Sequence, residues 1–287
     1  MNASSLAYPP KIIFSDYDGT LKPTHGQVAQ ADIEAFRELG RLSIIRVIAT
    51  GRSLFTFNRD WPRDLELDYL IFSSGLGLCS WSSDGPGPLI ASRQLPPQQV
   101  QSALRASIAA NRGFFAFEPP PRCHCFVYQD PIGYPPTSGH LDRLRIYHDV
   151  ASPYVPDMPL GPRGQFLITA PIAEMPPIRE KFESMVENLS IFYSSSPFGD
   201  PCLWLEIFPE GINKGSAAGE LARSLKLTPS EALAVGNDYN DISLLNYAGQ
   251  AFVVSNSSPG VRSLYPHLPA STQAPMSHLV SMIKSLF

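Results

Sequence analysis

The sequence contains few cysteines and no long apolar run. Four cysteines among 287 residues are too few and too irregularly spaced for the disulfide framework of a small secreted domain. No stretch reaches the roughly 18 consecutive apolar residues that a membrane-spanning helix needs. Residues 1–11 also lack the basic and apolar segments of a secretory signal peptide. We therefore expect a cytoplasmic protein that has no membrane partner.

The chain also lacks a large excess of charge of either sign. It has 22 basic and 26 acidic side chains, which give a formal net charge of −4. Proteins that bind nucleic acid usually carry a strong positive field, so we expect no nucleic-acid partner, and an anionic ligand must be held by a few local groups. Hydrophobic residues form 44% of the chain, which suits a sizeable core and excludes wholesale disorder.

Proline is the residue type in excess. The chain has 29 prolines, against a usual frequency of about 5%, and most of them lie between residues 81 and 206. A chain of 287 residues has room for about two domains. The uneven distribution of proline therefore predicts two parts that differ in structure.

The proline-poor segments have the pattern of an α/β fold. Short apolar runs that end in polar or glycine-containing turns predict buried strands at 11–15, 44–49, 69–72, 232–235 and 251–254. Apolar residues at helical spacing predict helices at 30–42, 213–225, 242–247 and 277–287. This alternation indicates a doubly wound parallel sheet, in which ligands bind at the carboxyl ends of the strands.

The proline-rich segment predicts a separate α+β module. Its strands and helices alternate without the continuous apolar runs of a parallel sheet. The predicted strands lie at 114–117, 125–129, 165–170 and 190–194, and the predicted helices lie at 97–111 and 177–189. Residues 130–162 are so often interrupted by proline and glycine that we expect no regular structure there.

One short cluster in this module has the chemistry of metal ligands. Cys123, His124 and Cys125 are consecutive, but no second pair of ligands follows at the spacing of a zinc site. We interpret all four cysteines as buried or strand-borne thiols, with a metal or redox role as the alternative. Arg122, His124 and Tyr128 are candidates for contact with a substrate.

Carboxylates follow the ends of the predicted core strands. Asp16 and Asp18 are two residues apart, so we expect both to project toward one point, and Asp241 adds negative charge to the same edge. Carboxylates this close repel one another unless a divalent cation lies between them, and Mg²⁺ prefers such oxygen ligands. The alternative is a plain turn, since Asp-Gly is a common turn pair.

Two further clusters suit an anion. Thr50 and Gly51 place a hydroxyl and an unobstructed backbone N–H before a helix, and Lys214 brings a positive charge to the start of another helix. The alternatives are an ordinary loop at Thr50 and a solvated lysine at 214. Together with the carboxylates, these groups predict a site that binds a phosphoryl group by positioning and charge neutralisation.

The set of motifs resembles that of the haloacid dehalogenase-like phosphohydrolases. The motifs are D-x-D-G-T at 16–20, T-G-R at 50–52, N-K-G at 213–215 and G-N-D-Y-N-D at 236–241. They occur in the family's order, and the resemblance covers essentially the whole chain. The long insert is similar to the large α/β cap of the branch that holds Cof-like, sucrose-phosphate and trehalose-phosphate phosphatases. The resemblance implies a discontinuous catalytic core of residues 1–80 and 207–287 and an inserted cap of residues 81–206.

The resemblance also implies the chemistry. Asp16 is the nucleophile that attacks phosphorus and becomes an aspartyl phosphate, and Asp18 protonates the leaving alkoxide and later deprotonates water. Thr50, Gly51 and Lys214 hold the phosphoryl oxygens. The implied substrate is a small phosphorylated metabolite, a sugar phosphate in particular, and the implied protein is a monomer or a small homo-oligomer.

The implied cofactor is Mg²⁺, bound by Asp16, Asp18, Asn237 and Asp241. The family's last motif usually reads G-D-x-x-N-D, and its first aspartate contacts the metal, whereas this chain has Asn237 at that position. An asparagine still offers a carbonyl oxygen. Asn237 is therefore either a metal ligand of reduced charge or part of a structural turn.

Arg52, Asn240 and Asn256 are further candidates for substrate binding by the same resemblance. Two alternatives to a phosphatase stay open. A phosphotransferase or mutase would return the phosphoryl group to a sugar hydroxyl. A sugar-phosphate sensor would keep the pocket and lack turnover, which is a hypothesis that the substitution at Asn237 raises.

Overall fold

The computed structural model describes residues 6–156, 158–195 and 202–287. The chain divides into two compact units. The first unit consists of the residues up to Arg52, Thr56–Ala91 and Asn213–Phe287, and the second consists of Ser53–Phe55 and Ser92–Ile212. Residues 1–5, which belong to the segment that was inspected for a signal sequence, lie outside the described residues.

An eight-stranded sheet forms the centre of the first unit. Numbered along the whole chain, its strands are β1 (Ile12–Ser15), β2 (Ile45–Ala49), β3 (Tyr69–Phe72), β4 (Gly77–Ser82), β5 (Gly85–Ser92), β12 (Ala232–Gly236), β13 (Gln250–Val254) and β14 (His267–Leu268). The strand order is β14-β13-β12-β1-β2-β3-β4-β5. The strands from β14 to β3 are parallel, and β4 runs antiparallel to β3. The predicted α/β fold with a parallel sheet is confirmed.

Among the described residues, six α-helices belong wholly or mostly to the first unit. They are α1 (Gln30–Arg41), α2 (Leu54–Asp60), α6 (Lys214–Ser224), α7 (Ile242–Tyr247), α8 (Pro259–Arg262) and α9 (Pro275–Lys284). Helix α1 buries Ile33, Phe36 and Leu39, the apolar face that their spacing predicted. Helix α9 packs against α1, and the Asp32 carboxylate accepts the backbone N–H of Ser277 at 2.9 Å. A side chain of one helix therefore caps the first turn of another.

A six-stranded sheet forms the centre of the second unit. Its strands are β6 (Phe114–Phe117), β7 (Phe126–Gln129), β8 (Ala151–Pro153), β9 (Gln165–Pro171), β10 (Leu189–Ser195) and β11 (Cys202–Pro209), in the order β10-β11-β9-β6-β7-β8. All its described pairs are antiparallel except β7 with β8. The helices of this unit are α3 (Pro97–Ala110), α4 (Ser138–Ile146) and α5 (Met175–Met185). Residues of α3 and α5 join the apolar core on one face of this sheet. Leu144 of α4 packs on the other face, against a cluster formed by Phe115, Phe117, Phe126, Leu167 and Trp204.

Most predicted elements are present, with ends shifted by a few residues, but the expectation for residues 130–162 is wrong. Helix α4 and strand β8 lie in that range. Pro135 and Pro136 precede α4, where a missing N–H costs no helical hydrogen bond. The Thr137 side chain then caps the helix by accepting the backbone N–H of His140 at 3.1 Å. Elements α2, β4, β5, β11, α8 and β14 were not predicted from the sequence either.

The two units divide near residues 91 and 212, whereas the sequence analysis placed the boundaries at 81 and 206. Strands β4 and β5 extend the first sheet as far as Ser92, and β11 extends the second sheet as far as Pro209. The catalytic and cap roles that were assigned to the two parts remain predictions.

The four cysteines are buried or half-buried. Cys79, Cys123 and Cys125 are buried and Cys202 is half-buried, and no disulfide joins them in the described part of the chain. His124 stacks on Phe55 with ring centroids 4.3 Å apart.

In the described ranges, no helix combines the length and the apolar character that crossing a membrane requires.

Candidate active site

The candidate active site lies at the carboxyl edge of three neighbouring parallel strands. Strand β12 pairs with β1, and β1 pairs with β2. Asp16 directly follows β1, Thr50 directly follows β2, and Asn237 directly follows β12. Because the carboxyl ends of parallel strands meet at one edge of a sheet, the sheet brings together residues that are far apart in the sequence.

Lys214 reaches this edge from the first position of helix α6. The Asn213 side chain caps the helix by accepting the backbone N–H of Ser216 at 2.8 Å, and the Ser216 hydroxyl accepts the N–H of Asn213 at 3.1 Å. The Lys214 side chain is 1% exposed, and its Nζ lies 2.6 Å from Asp16 Oδ1 and 2.6 Å from Asp241 Oδ1. The ammonium thus joins the carboxylate after β1 to the carboxylate before α7.

Asp241 uses both of its carboxylate oxygens inside the protein. Oδ1 accepts from Lys214, while Oδ2 accepts the backbone N–H groups of Asn237 at 2.9 Å and Asp238 at 3.1 Å. The side chain is fully buried. This arrangement makes Asp241 an anchor for Lys214 and for the turn after β12. The metal-ligand role predicted for Asp241 has to compete with these three donors.

Helices α6 and α7 approach each other closely beside this site. A Cβ atom on Gly215 would lie 2.1 Å from the backbone oxygen of Ser243, so only glycine fits there. The Gly215 N–H also donates to the Ser243 hydroxyl at 3.2 Å. This contact fixes the start of α6, and hence Lys214, next to the start of α7 and Asp241.

The charges of this cluster shift the pKa values of its members. Burial raises the pKa of Asp16 above its usual range, the charge of Asp241 raises it further, and the charge of Lys214 opposes both. Burial alone would lower the pKa of Lys214, but the charges of Asp16 and Asp241 outweigh burial and raise it. Two buried carboxylates and one ammonium leave an excess of one negative charge.

The second oxygen of Asp16 suits a divalent cation. Asp16 Oδ2 is buried and has no hydrogen-bond partner among the described residues, which is costly for a carboxylate oxygen. A cation at this oxygen would satisfy it and would neutralise the excess negative charge. The nearby donors in the proposed set, Asp18 and Asn237, also offer oxygen, which Mg²⁺ prefers. In the described ranges, no group of three or more His, Cys, Asp or Glu side chains is arranged as a metal site, so the fit depends on backbone and amide oxygens as well.

Asp18 is paired with Arg52. Its two carboxylate oxygens accept from Arg52, with Nε to Oδ2 at 2.7 Å and Nη2 to Oδ1 at 2.6 Å, and its side chain is 51% exposed. After β1 the chain turns through Gly19, whose φ is +79°, and the planar guanidinium of Arg52 matches the Asp18 carboxylate in two places. The convergence of Asp16 and Asp18 on one point stays a prediction.

Thr50 and Gly51 lie between β2 and α2. Thr50 is fully buried, and its hydroxyl oxygen accepts the backbone N–H of Arg52 at 3.1 Å. Gly51 is exposed, and a Cβ atom there would meet only the Ser74 hydroxyl, at an ordinary contact distance of 3.6 Å. The space around position 51 therefore does not require glycine, and the predicted contact of its N–H with a phosphoryl group stays a prediction.

Asn237 packs on the turn after β1. Its Oδ1 accepts from the Thr20 hydroxyl at 3.2 Å, and a Cβ atom on Gly19 would lie 2.3 Å from its Nδ2. Asn256 uses both ends of its amide on the backbone, donating to Gly19 O at 2.9 Å and accepting from the Ser271 N–H at 2.7 Å. The structure thus assigns Asn256 a contact with the turn rather than an open side chain.

Asn240, the remaining residue proposed for substrate binding, lies half-buried in the turn Tyr239–Asp241 that leads into α7. Arg52, also proposed for substrate binding, has its three guanidinium nitrogens occupied by carboxylates. Nε and Nη2 donate to Asp18, and Nη1 donates to Asp60 Oδ2 at 2.7 Å.

The residues that hold Arg52 on the side away from Asp18 were not predicted from the sequence. Asp60 Oδ2 also accepts from Lys22 Nζ at 2.6 Å and from the Tyr17 hydroxyl at 3.3 Å. The pKa of Asp60 lies below its usual range, because the hydrogen bond from Lys22 and the charge of Arg52 together outweigh burial, which acts in the opposite direction. No motif marks Lys22 or Asp60, since they are separated by 38 positions and belong to a loop and a short helix.

Comparison with known proteins shows the family of this chain. A family model described as haloacid dehalogenase-like hydrolase matches residues 13–274. The chain is 24% identical over 253 residues to an HMP-PP phosphatase of Yersinia pseudotuberculosis, which covers 88% of this chain and 86% of that protein. An HMP-PP phosphatase of Yersinia pestis shows the same identity over the same length.

Two solved structures share the fold. A phosphatase of the haloalkanoate superfamily from Bacteroides thetaiotaomicron superimposes with a TM-score of 0.77 at 17% identity, over 97% of this chain and 96% of that one. A sugar phosphatase of subclass IIB of the same superfamily gives a TM-score of 0.71 at 16% identity, over 96% and 99% of the two chains. The family match spans nearly the whole sequence, so this chain belongs to the haloacid dehalogenase-like hydrolases and is an enzyme of their phosphatase type.

Proposed function

We propose that this chain is a Mg²⁺-dependent phosphatase that hydrolyses a small phosphorylated metabolite through an aspartyl phosphate on Asp16. The observation that carries the proposal is the state of the Asp16 carboxylate. Lys214 holds its Oδ1 at 2.6 Å, and its buried Oδ2 has no partner among the described residues. One oxygen of the Asp16 carboxylate is held by Lys214 and the other has no described partner. This suits a nucleophile whose position is fixed and which can still contact a phosphoryl group and a cation.

In the first step, a carboxylate oxygen of Asp16 attacks the phosphorus atom, and the bond from phosphorus to the leaving oxygen breaks. Protonated Asp18 gives its proton to that leaving alkoxide. In the second step, water attacks the aspartyl phosphate while the Asp18 carboxylate takes the proton of the water. Inorganic phosphate leaves, and Asp16 returns to its carboxylate form.

The phosphoryl oxygens are held by groups from two elements. Lys214 Nζ spends two of its three N–H donors on Asp16 and Asp241, which leaves one for a phosphoryl oxygen. The Thr50 hydroxyl and the Gly51 N–H supply neutral donors from the end of β2. Donors fixed before the substrate arrives stabilise the charge that develops during transfer without reorganising.

Mg²⁺, when bound, shields the negative charge of Asp16 from the substrate and neutralises phosphoryl oxygens. The Asp16 carboxylate, the Asp18 backbone carbonyl and the Asn237 amide oxygen would hold it. Asp241 contributes by fixing the Asn237 backbone and Lys214 rather than by a free carboxylate oxygen.

We propose a sugar phosphate as the substrate class and the second unit as the part that selects it. One structural neighbour is described as a sugar phosphatase, while the curated relatives are described as HMP-PP phosphatases, so HMP-PP is a second compound to test. A cytoplasmic location and a monomeric or small homo-oligomeric state remain predictions.

The experiment is phosphate release by the purified chain from a panel of sugar phosphates and from HMP-PP, with Mg²⁺ and after treatment with EDTA. We expect release with Mg²⁺, loss with EDTA, and no release by Asp16→Asn. Mass spectrometry of the quenched reaction should show one added phosphoryl group on wild type. Binding without release for every compound and with Mg²⁺, Mn²⁺ or Co²⁺ would support a sensor instead. Transfer of phosphate between sugars would support a mutase.

A further inference from the structure

Four charged side chains form a continuous chain of contacts that ends at Asp18. Lys22 Nζ lies 2.6 Å from Asp60 Oδ2, and the same oxygen lies 2.7 Å from Arg52 Nη1. Arg52 then contacts both oxygens of Asp18, at 2.7 and 2.6 Å. All four residues belong to the first unit.

The two contacts of Arg52 use different parts of its guanidinium. Nε and Nη2 form the side that faces Asp18, and Nη1 faces Asp60. Because the guanidinium is planar and rigid, holding Nη1 also sets the direction of the other two donors. The guanidinium carbon lies 5.1 Å from the centroid of the Tyr17 ring, and Tyr17 is fully buried. Arg52 is thus fixed by Asp60 at one end and supported by Tyr17.

Asp18 needs this support because little else restrains it. Its side chain is 51% exposed, whereas Asp60 is 29%, Arg52 is 23% and Lys22 is 15% exposed. An exposed ion pair contributes little to stability, so folding alone does not explain the two contacts that hold Asp18 on Arg52. Restricting the position of an exposed acid, however, matters greatly for proton transfer, since a small misplacement is costly.

We propose that Asp60 and Lys22 are positioning residues that act through Arg52 to place the carboxyl group of Asp18 for proton transfer. This inference rests on the proposed function, in which Asp18 protonates the leaving group. Arg52 orients Asp18 through two contacts, Asp60 holds Arg52 in place, and Lys22 holds Asp60 in place.

The same unit contains an ion-pair group of matching geometry away from the site. Arg46 donates from Nε and Nη2 to the two oxygens of Asp68, at 3.0 and 2.8 Å, and from Nη1 to Glu66 Oε2 at 2.9 Å. Glu66 therefore stands to Arg46 as Asp60 stands to Arg52. Glu66→Gln removes a charge of the same kind without touching Asp18, which makes it the matched control.

The test uses leaving groups of graded basicity. The purified chain is assayed with p-nitrophenyl phosphate, phenyl phosphate and benzyl phosphate, which are similar in size but need increasing help from a general acid. We expect Asp60→Asn to lower kcat/KM for benzyl phosphate by about 10- to 100-fold, part of the ~10²–10⁴ that a general acid supplies. The loss for p-nitrophenyl phosphate should be no more than about threefold, since this leaving group departs without a proton.

Two further variants separate positioning from folding. Lys22→Met should show the same leaving-group dependence with a smaller loss, and Glu66→Gln should show none. Adding Asp60→Asn to Arg52→Ala should change kcat/KM by less than about twofold, because a residue that acts through Arg52 has no further effect without it. Unfolding midpoints are measured for every variant.

Equal losses on all three esters in Asp60→Asn and Lys22→Met would overturn the inference, as would an undiminished effect of Asp60→Asn in the absence of Arg52. A different failure belongs to the proposed function. If Asp18→Asn left the rates on all three esters unchanged, Asp18 would not be the acid, whatever Asp60 does. Loss in Asp18→Asn together with no leaving-group dependence in Asp60→Asn would remove only the positioning role.

Discussion

Removing the Lys214 charge should destabilise the protein more than almost any other single change at the site. Lys214 is 1% exposed and bridges Asp16 and Asp241, which are 5% and 0% exposed, at 2.6 Å each. Lys214→Met keeps the length of the side chain and leaves two buried carboxylates without their cation. Breaking a buried ion pair from one side costs about 3–5 kcal/mol, a large part of the roughly 5–15 kcal/mol that stabilises a typical domain.

The loss should depend on pH in a defined direction. Burial already raises the pKa of Asp16, and without the opposing charge of Lys214 it rises further above its unfolded value, so the folded variant binds more protons than the unfolded chain. The stability of the variant then falls as pH rises through that folded-state pKa. We therefore expect a smaller difference from wild type at pH 5.5 than at pH 8.

The assay is urea unfolding followed by circular dichroism at the two pH values, with EDTA present so that no divalent cation replaces the ammonium. Lys284→Met serves as the control, because Lys284 is 55% exposed and its pair with Glu38 lies at the surface. The control should be indistinguishable from wild type at both pH values. A loss in Lys214→Met that is below about 1 kcal/mol, or that is the same at both pH values, would refute the reasoning.

Two further predictions concern a glycine of the site and a helix cap. Gly51→Ala should leave the unfolding midpoint unchanged, since its Cβ atom meets only Ser74 Oγ at 3.6 Å, and should raise KM if the phosphoryl group lies against this N–H. Burial raises the pKa of Asp32 to about 6, so the stability that its neutral form contributes is lost as pH rises from about 4 to 6. The free energy of unfolding of Asp32→Asn relative to wild type should therefore increase by about 2 kcal/mol between pH 4 and 7, and a constant difference would contradict this.

The positions at the strand ends were predictable from the sequence. Asp16, Thr50 and Asn237 each follow a short apolar run, and parallel strands bring such positions to one edge whatever the details of packing. Lys214 was predictable as a residue at the start of a helix, because the apolar residues that follow it recur at helical spacing. Family resemblance supplied the order of attack, which geometry alone does not.

The directions of the side chains were not predictable. Asp18 contacts Arg52 because the planar guanidinium matches its two oxygens. Both oxygens of Asp241 accept hydrogen bonds from Lys214 and from two backbone N–H groups. Both contacts depend on three-dimensional positions that carry no periodic signal. Asp60 lies at the end of α2, whose seven residues are too few to show an apolar face.

Proline frequency misled the analysis of residues 130–162. It was taken as a sign of irregular structure, although Pro135 and Pro136 end where Thr137 begins to cap α4. Proline excludes the interior of a helix and not its approach. The positions of the prolines relative to a capping residue, rather than their number, would have predicted the helix.

The close approach at Gly215 gives the site an unusual kind of tuning element. The distance from Lys214 to Asp241 depends on how near two helix backbones come, and that is decided by a residue with no side chain. Any larger residue at this position would push α6 away from α7 and lengthen the ion pair without altering a single charged group. A substitution of Gly215 can therefore change the electrostatic environment of Asp16 while every polar residue of the site stays the same. A screen for inactive natural variants should include this glycine.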